Sequence, residues 1–95
     1  MIISFGNKET EKLFEGKFSK RIPIDIQKRA FRKLTKIHLS QTLDELSFPP
    51  SNPLELLTGD RVGKWSIRIN DQWRITFIPI NEGRDYVDVE IEDYH

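Results

Sequence analysis

Ninety-five residues, 37% hydrophobic and 32% charged, bound this chain to a single small domain over residues 1–95 with one modest core. Fifteen Lys+Arg balance fifteen Asp+Glu, and the absence of cysteine excludes a disulfide framework, a zinc–thiolate site and a cysteine nucleophile. No run approaches the roughly 20 apolar residues of a spanning helix, and residues 1–5 have neither the basic flank nor the apolar core of a signal peptide. A soluble cytoplasmic domain is the expectation, with no membrane partner.

Residues 1–5 read as a short first strand. Asn7 can cap a helix running to Glu15, with Glu9 and Glu11 near its positive end and Gly16 as the stop. Pro23 opens a second helix, in which Ile26, Ala30, Leu34 and Ile37 form one apolar stripe. Thr42 and Glu45 have capping-box spacing for a short third helix carrying Leu43 and Leu46. Residues 49–53, with three prolines, form a rigid loop.

Beyond that loop the period changes to two. Residues 54–57 are a candidate strand and residues 58–63 a turn with two glycines. Trp65, Ile67 and Ile69 alternate with Lys64, Ser66 and Arg68; after an Asn70-Asp71 turn, Trp73, Ile75 and Phe77 alternate with Gln72, Arg74 and Thr76. Asn81-Glu82-Gly83 makes the next turn, and Val87, Val89 and Ile91 alternate with Asp88, Glu90 and Glu92. The order predicts an α+β fold: an N-terminal strand and two to three helices on one face of a mainly antiparallel, four- to five-stranded sheet.

Charge is unevenly placed. Residues 17–38 hold eight basic side chains against the single acid Asp25, a net of +7, whereas residues 81–95 hold six acids against Arg84, a net of −5. Lys28, Arg29, Arg32, Lys33 and Lys36 fall largely off the apolar stripe of the second helix. Such a run is either the solvated side of an amphipathic helix or a face for phosphates, and pattern alone leaves both open.

No Gly-rich phosphate loop, metal-ligand cluster or serine elbow is present, so no cofactor is expected. Arg68 and Arg74 stand on consecutive strands, out of phase with the tryptophans. Two guanidiniums so placed can grip a phosphate and stabilise added negative charge, or they can pair with the acids of the last strand. The chain closes on Asp93, Tyr94 and His95. A terminal imidazole offers proton transfer near neutral pH and a tyrosine ring can stack on a base, but last residues are also commonly mobile.

The stretch Gly59-Asp60-Arg61-Val62-Gly63-Lys64-Trp65-Ser66-Ile67-Arg68-Ile69-Asn70-Asp71-Gln72-Trp73-Arg74-Ile75-Thr76-Phe77 resembles the central motif of HigB-type toxins. These are the plasmid maintenance system killer branch of the RelE/ParE superfamily. The ending Val89-Glu90-Ile91-Glu92-Asp93-Tyr94-His95 is similar to the close of those toxins, as is the opening with Ile2-Ile3-Ser4-Phe5 and Leu13-Phe14-Glu15-Gly16.

The resemblance implies a RelE-like fold and the toxin of a type II toxin–antitoxin system. It implies a helix-turn-helix antitoxin of the HigA type as partner, with operator DNA reached only through the antitoxin. The activity implied is metal-independent cleavage of mRNA in the A site of the 70S ribosome, leaving a 2′,3′-cyclic phosphate. By the same resemblance Arg74 stabilises the transition state, Arg68 assists, His95 is acid or base, Asp93 orients or carries a proton, and Tyr94 stacks. Some relatives hold a histidine and a lysine where this chain has Glu55 and Thr58, which makes Glu55 the candidate base. Arg29, Arg32, Lys33, Lys36, Arg61 and Lys64 are the expected nucleic-acid contacts. A non-catalytic inhibitor of the ribosome or of DNA gyrase is the alternative.

Overall fold

The computed structural model describes residues 1–47, 53–57 and 63–93. Most of the proline loop (residues 49–52), the turn at 58–62 with Arg61, and the terminal Tyr94 and His95 lie outside these described residues.

The first helix, α1, spans Lys8–Phe14. Asn7 caps it: its Oδ1 accepts from the Thr10 N–H at 2.8 Å. Gly16 follows the end at φ +82°, where a side chain would be strained. The second helix, α2, spans Ile24–Leu39 behind Pro23. Its stripe Ile26, Ala30, Leu34 and Ile37 is buried as the sequence predicts. The expected third helix is a single 3₁₀ turn, Leu43–Ser47, which still buries Leu46. Its Glu45 carboxylate accepts from the Gln41 N–H at 3.0 Å, one residue earlier than the capping box predicts.

Four strands follow: β1 (Leu54–Leu56), β2 (Trp65–Arg68), β3 (Trp73–Ile80) and β4 (Asp85–Asp93). They form one antiparallel sheet in the order β1-β2-β3-β4. The α2 stripe packs with Ile67, Ile69, Ile75, Phe77, Val89 and Ile91 into one core. Truncating Leu34, fully buried there, should cost about 2–5 kcal/mol, a large share of a small domain's stability.

The expected alternation in β4 fails at one point. Thr76 pairs with Glu90 but Ile78 pairs with Val87, so Asp88 and Val89 together oppose Phe77. This is a β-bulge, and Asp88 sits at φ +53° within it. The extra residue moves Tyr86, rather than Val87, into phase with Val89 and Ile91, and Tyr86 is fully buried. Its ring meets Phe77 edge-on, with centroids 5.3 Å apart.

The same bulge divides the predicted first strand. Residues 1–6 run parallel to β4 along its outer edge but bridge it only at Ile2–Tyr86 and Phe5–Val89. Between the bridges the Asp88 N–H finds the Ser4 Oγ, at 2.9 Å. Further along, Thr10 Oγ1 accepts from the Ile91 N–H at 2.9 Å, so α1 also covers that edge.

Tyr86 provides a test of this core. Its hydroxyl lies 2.8 Å from Ser40 Oγ, and burial raises its pKa above the ordinary value of 10.0. Tyr86→Phe should cost about 1 kcal/mol, since Ser40 Oγ can still donate to the Ile37 carbonyl. The melting temperature should fall by roughly 4–8 °C. A raised native pKa means that stability is complete below the unfolded pKa and declines as pH rises through the native value. Urea unfolding between about pH 8 and 11 should therefore show a steeper loss for the unaltered protein than for the variant.

Candidate functional site

The turn between β2 and β3 builds the site. Asn70 Oδ1 accepts from the N–H groups of Gln72 (2.8 Å) and Trp73 (2.7 Å), an Asx turn that reverses the chain. The Ile69 N–H donates to the Trp73 carbonyl at 2.8 Å, which fixes the register. Ile67 then opposes Ile75 on the helix-covered face, and Arg68 opposes Arg74 on the other.

Two rows of side chains cross that other face. In one, Arg68, Arg74 and Glu92 are successive cross-strand neighbours from β2 to β4. In the next, Glu55, Ser66, Thr76 and Glu90 follow from β1 to β4. Arg74 is only 6% exposed, and its Nη1 donates to Ser66 Oγ at 3.1 Å. Thr76 Oγ1 donates to the Glu92 carboxylate, and Asn7 Nδ2 to Glu90 at 3.2 Å. Arg68 stays exposed and reaches Asp71 at only 3.9 Å, a weak surface pair. Like charges on neighbouring strands disfavour the sheet. Such a pair stores positive potential beside an anchored guanidinium, an arrangement that suits a phosphate.

The expected site residues divide by position. Arg68, Arg74 and Glu55 share this face; Lys64 precedes β2, and its carbonyl accepts from the Leu57 N–H at 2.8 Å. Asp93 pairs with Trp73 and so is out of phase with Arg74; its Oδ2 accepts from Gln72 Nε2 at 3.1 Å. Arg29, Arg32, Lys33 and Lys36 lie on α2, whose buried stripe packs against the opposite face. Arg29 Nη1 ties back to the Ile69 carbonyl at 3.0 Å. Burial, then the neighbouring charges of Lys36 and Arg29, lower the Lys33 pKa. Arg61, Tyr94 and His95 fall outside the described residues.

Sequence reasoning passed over Ser66, Thr76 and Glu92. Each has the parity of its strand's arginine or of the acids beside it, so the period-two pattern gives their face but not their place beside Arg74. Among the described residues, no group of three or more His, Cys, Asp or Glu converges to hold a metal ion. Nor is any helix among them long and apolar enough to cross a membrane.

The profile of the HigB-like toxin family, described as the RelE-like toxin of the type II toxin–antitoxin system HigB, matches residues 3–95. The chain belongs to this family. It is 38% identical over 95 residues to the Endoribonuclease HigB of Proteus vulgaris, covering all of both chains. It is 37% identical over 78 residues to Toxin HigB-1 of Vibrio cholerae serotype O1, spanning 81% of this chain and 82% of that one. Two helices on a four-stranded antiparallel sheet agree with the RelE-like fold that the family implies. A toxin of a type II system has an antitoxin as its partner.

The Ser66–Arg74 contact gives this HigB-like toxin a direct test. Ser66→Ala should leave the fold intact at a cost of about 1 kcal/mol. Growth inhibition should weaken measurably, because the guanidinium loses a fixed acceptor. The readout is the inducer dose that arrests growth, alongside thermal unfolding of the purified variant.

Proposed function

We propose that this toxin is an endoribonuclease that cuts mRNA in the ribosomal A site, in the cytoplasm and without a metal. The observation that carries the reading is the Arg68–Arg74 cross-strand pair on the sheet face turned away from α2, with Arg74 anchored by Ser66. The name of the Proteus vulgaris relative, an endoribonuclease, supports it.

RNA supplies its own nucleophile. The 2′-hydroxyl attacks the adjacent phosphorus, the bond to the 5′-oxygen breaks, and a 2′,3′-cyclic phosphate and a 5′-hydroxyl remain. Negative charge accumulates on the phosphoryl oxygens as the attacking bond forms. Arg74, held in place before reaction, stabilises that charge without reorganising, and Arg68 adds to it. Glu55, next to Ser66 in the register, takes the 2′-hydroxyl proton. His95 returns a proton to the leaving 5′-oxygen, Tyr94 stacks on a base, and Asp93 orients the terminal segment. Family membership makes the antitoxin the partner; its helix-turn-helix HigA-type character, and contact with operator DNA through it, belong to this proposal.

Arg29, Arg32, Lys33 and Lys36 serve ribosomal RNA rather than the scissile strand, because α2 packs on the other side of the sheet. The acids Glu90 and Glu92 beside the arginines weaken any attraction for free RNA. The ribosome therefore has to present the substrate.

Arg74→Ala, or deletion of His95, should abolish growth inhibition while thermal unfolding stays cooperative; full toxicity in both folded variants would overturn the reading. Primer extension on programmed ribosomes should reveal new 5′ ends within the A-site codon. Arrest without new ends would instead identify an inhibitor that acts by occupancy. Reversing charge at Arg32 and Lys33 should weaken ribosome binding and reduce its salt slope by about 1–2. Naked RNA at physiological salt should remain largely uncut.

A further inference from the structure

A second feature lies on the helical side of the molecule. Between α1 and the start of α2 is an apolar groove of 370 Å³, lined by Leu13, Gly16, Phe18, Gln27 and Phe31, with Lys17 and Lys28 at its walls. Its aromatic side chains both reach solvent: Phe18 is 59% exposed and Phe31 39%. Ile24, 74% exposed, lies one turn before Lys28 and two before Phe31 and extends the same stripe of α2. Phe18 and Phe31 line one groove together, so their exposure is contiguous rather than scattered.

The charged side chains that line the groove, Lys17 and Lys28, are both cationic. The segment joining the helices adds the exposed Lys20 and Arg21, and no acid occurs between Glu15 and Asp25. Lys17 meets Glu15 at 3.3 Å, but both are solvated and the pair offsets little. An apolar concavity flanked by Lys17 and Lys28 fits an amphipathic peptide segment whose apolar side chains enter the groove while its carboxylates meet the two lysines. A second copy of this chain fits badly, because a two-fold contact would set each basic rim against the other. RNA phosphates would use the lysines and leave the aromatics unoccupied.

We propose that this groove is the docking site for an acidic, amphipathic segment of the toxin's antitoxin, an inference that rests on the family's partnership with one. The segment inserts apolar side chains against Phe18, Phe31 and Leu13, and its carboxylates face Lys17 and Lys28. Arg68 and Arg74 are not part of the contact.

The test uses the full-length toxin and the purified antitoxin encoded beside it, with affinity measured by calorimetry. Phe18→Asp should weaken the complex by about 30-fold, the loss expected for a buried aromatic anchor. The double charge reversal Lys17→Glu with Lys28→Glu, on exposed positions that do not hold the core, should weaken it by about 10-fold and flatten its salt dependence. Arg74→Ala should bind as the unaltered toxin does. Expressed without antitoxin, both groove variants should still arrest growth, which separates this placement from the proposed activity. Unchanged affinity in both groove variants would overturn the assignment. So would loss of growth inhibition in folded groove variants, which would assign the face to the toxin's target. A free toxin that sediments as a dimer and is dissociated by Phe18→Asp would assign it to self-association instead. Failure of the unaltered toxin to bind the antitoxin would overturn partner and groove together.

Discussion

The register of the β2–β3 hairpin governs both the core and the site. One Asx turn at Asn70 sets Ile67 against Ile75 on one face and Arg68 against Arg74 on the other. Because side chains alternate with a period of two, a slip of one residue would bury the arginines against α2 and expose the isoleucines. The apolar face makes that slip costly: each large aliphatic side chain moved to water would lose roughly 1.5–3 kcal/mol. Burial of the core therefore holds two like charges side by side, an arrangement the sheet would otherwise resist.

What the hairpin positions, β4 completes. Glu92 follows Arg74 in the cross-strand row, and Thr76 fixes the Glu92 carboxylate by hydrogen bonding. The face thus holds cations on β2 and β3 and acids on β4, so its field is local rather than general. In a protein with no net charge, such a gradient confines the positive potential to the Arg68–Arg74 end of the face. The basic side of α2 stands on the opposite layer, away from the Arg68–Arg74 pair. The bulge at Asp88 and Val89 then locks β4 to the N-terminal segment, through hydrogen bonds between residues more than 80 positions apart.

Much of this was legible in the chain. Asn7, Gly16 and Pro23 mark the ends of the two helices because capping chemistry and the constraints of Gly and Pro act within a few residues. The stripe Ile26, Ala30, Leu34 and Ile37 follows from helical period, and the opposition of the arginines to the tryptophans from strand period. Three features were not legible. A 3₁₀ turn stands for the third helix, where Leu43–Ser47 is one short turn held by a single buried leucine. The bulge reversed the parity expected of Val87, and it left the first strand as two bridges. Glu92 and Ser66 gained their places beside Arg74 only through pairing between strands.

The division follows the range of the forces. The opening charge balance, fifteen against fifteen, describes the whole chain, but its consequence depends on which charges share a face. Sequence by itself determined the family motif, the two helices, and the faces of the residues in β2 and β3, since caps and periods are local. Tertiary structure alone decided that Arg68 lies opposite Arg74, that Ser66 grips it, that Glu92 adjoins it, and that Tyr86 rather than Val87 enters the core. Those outcomes come from hydrogen-bond register and from one inserted residue in β4, and both depend on segments distant in the chain.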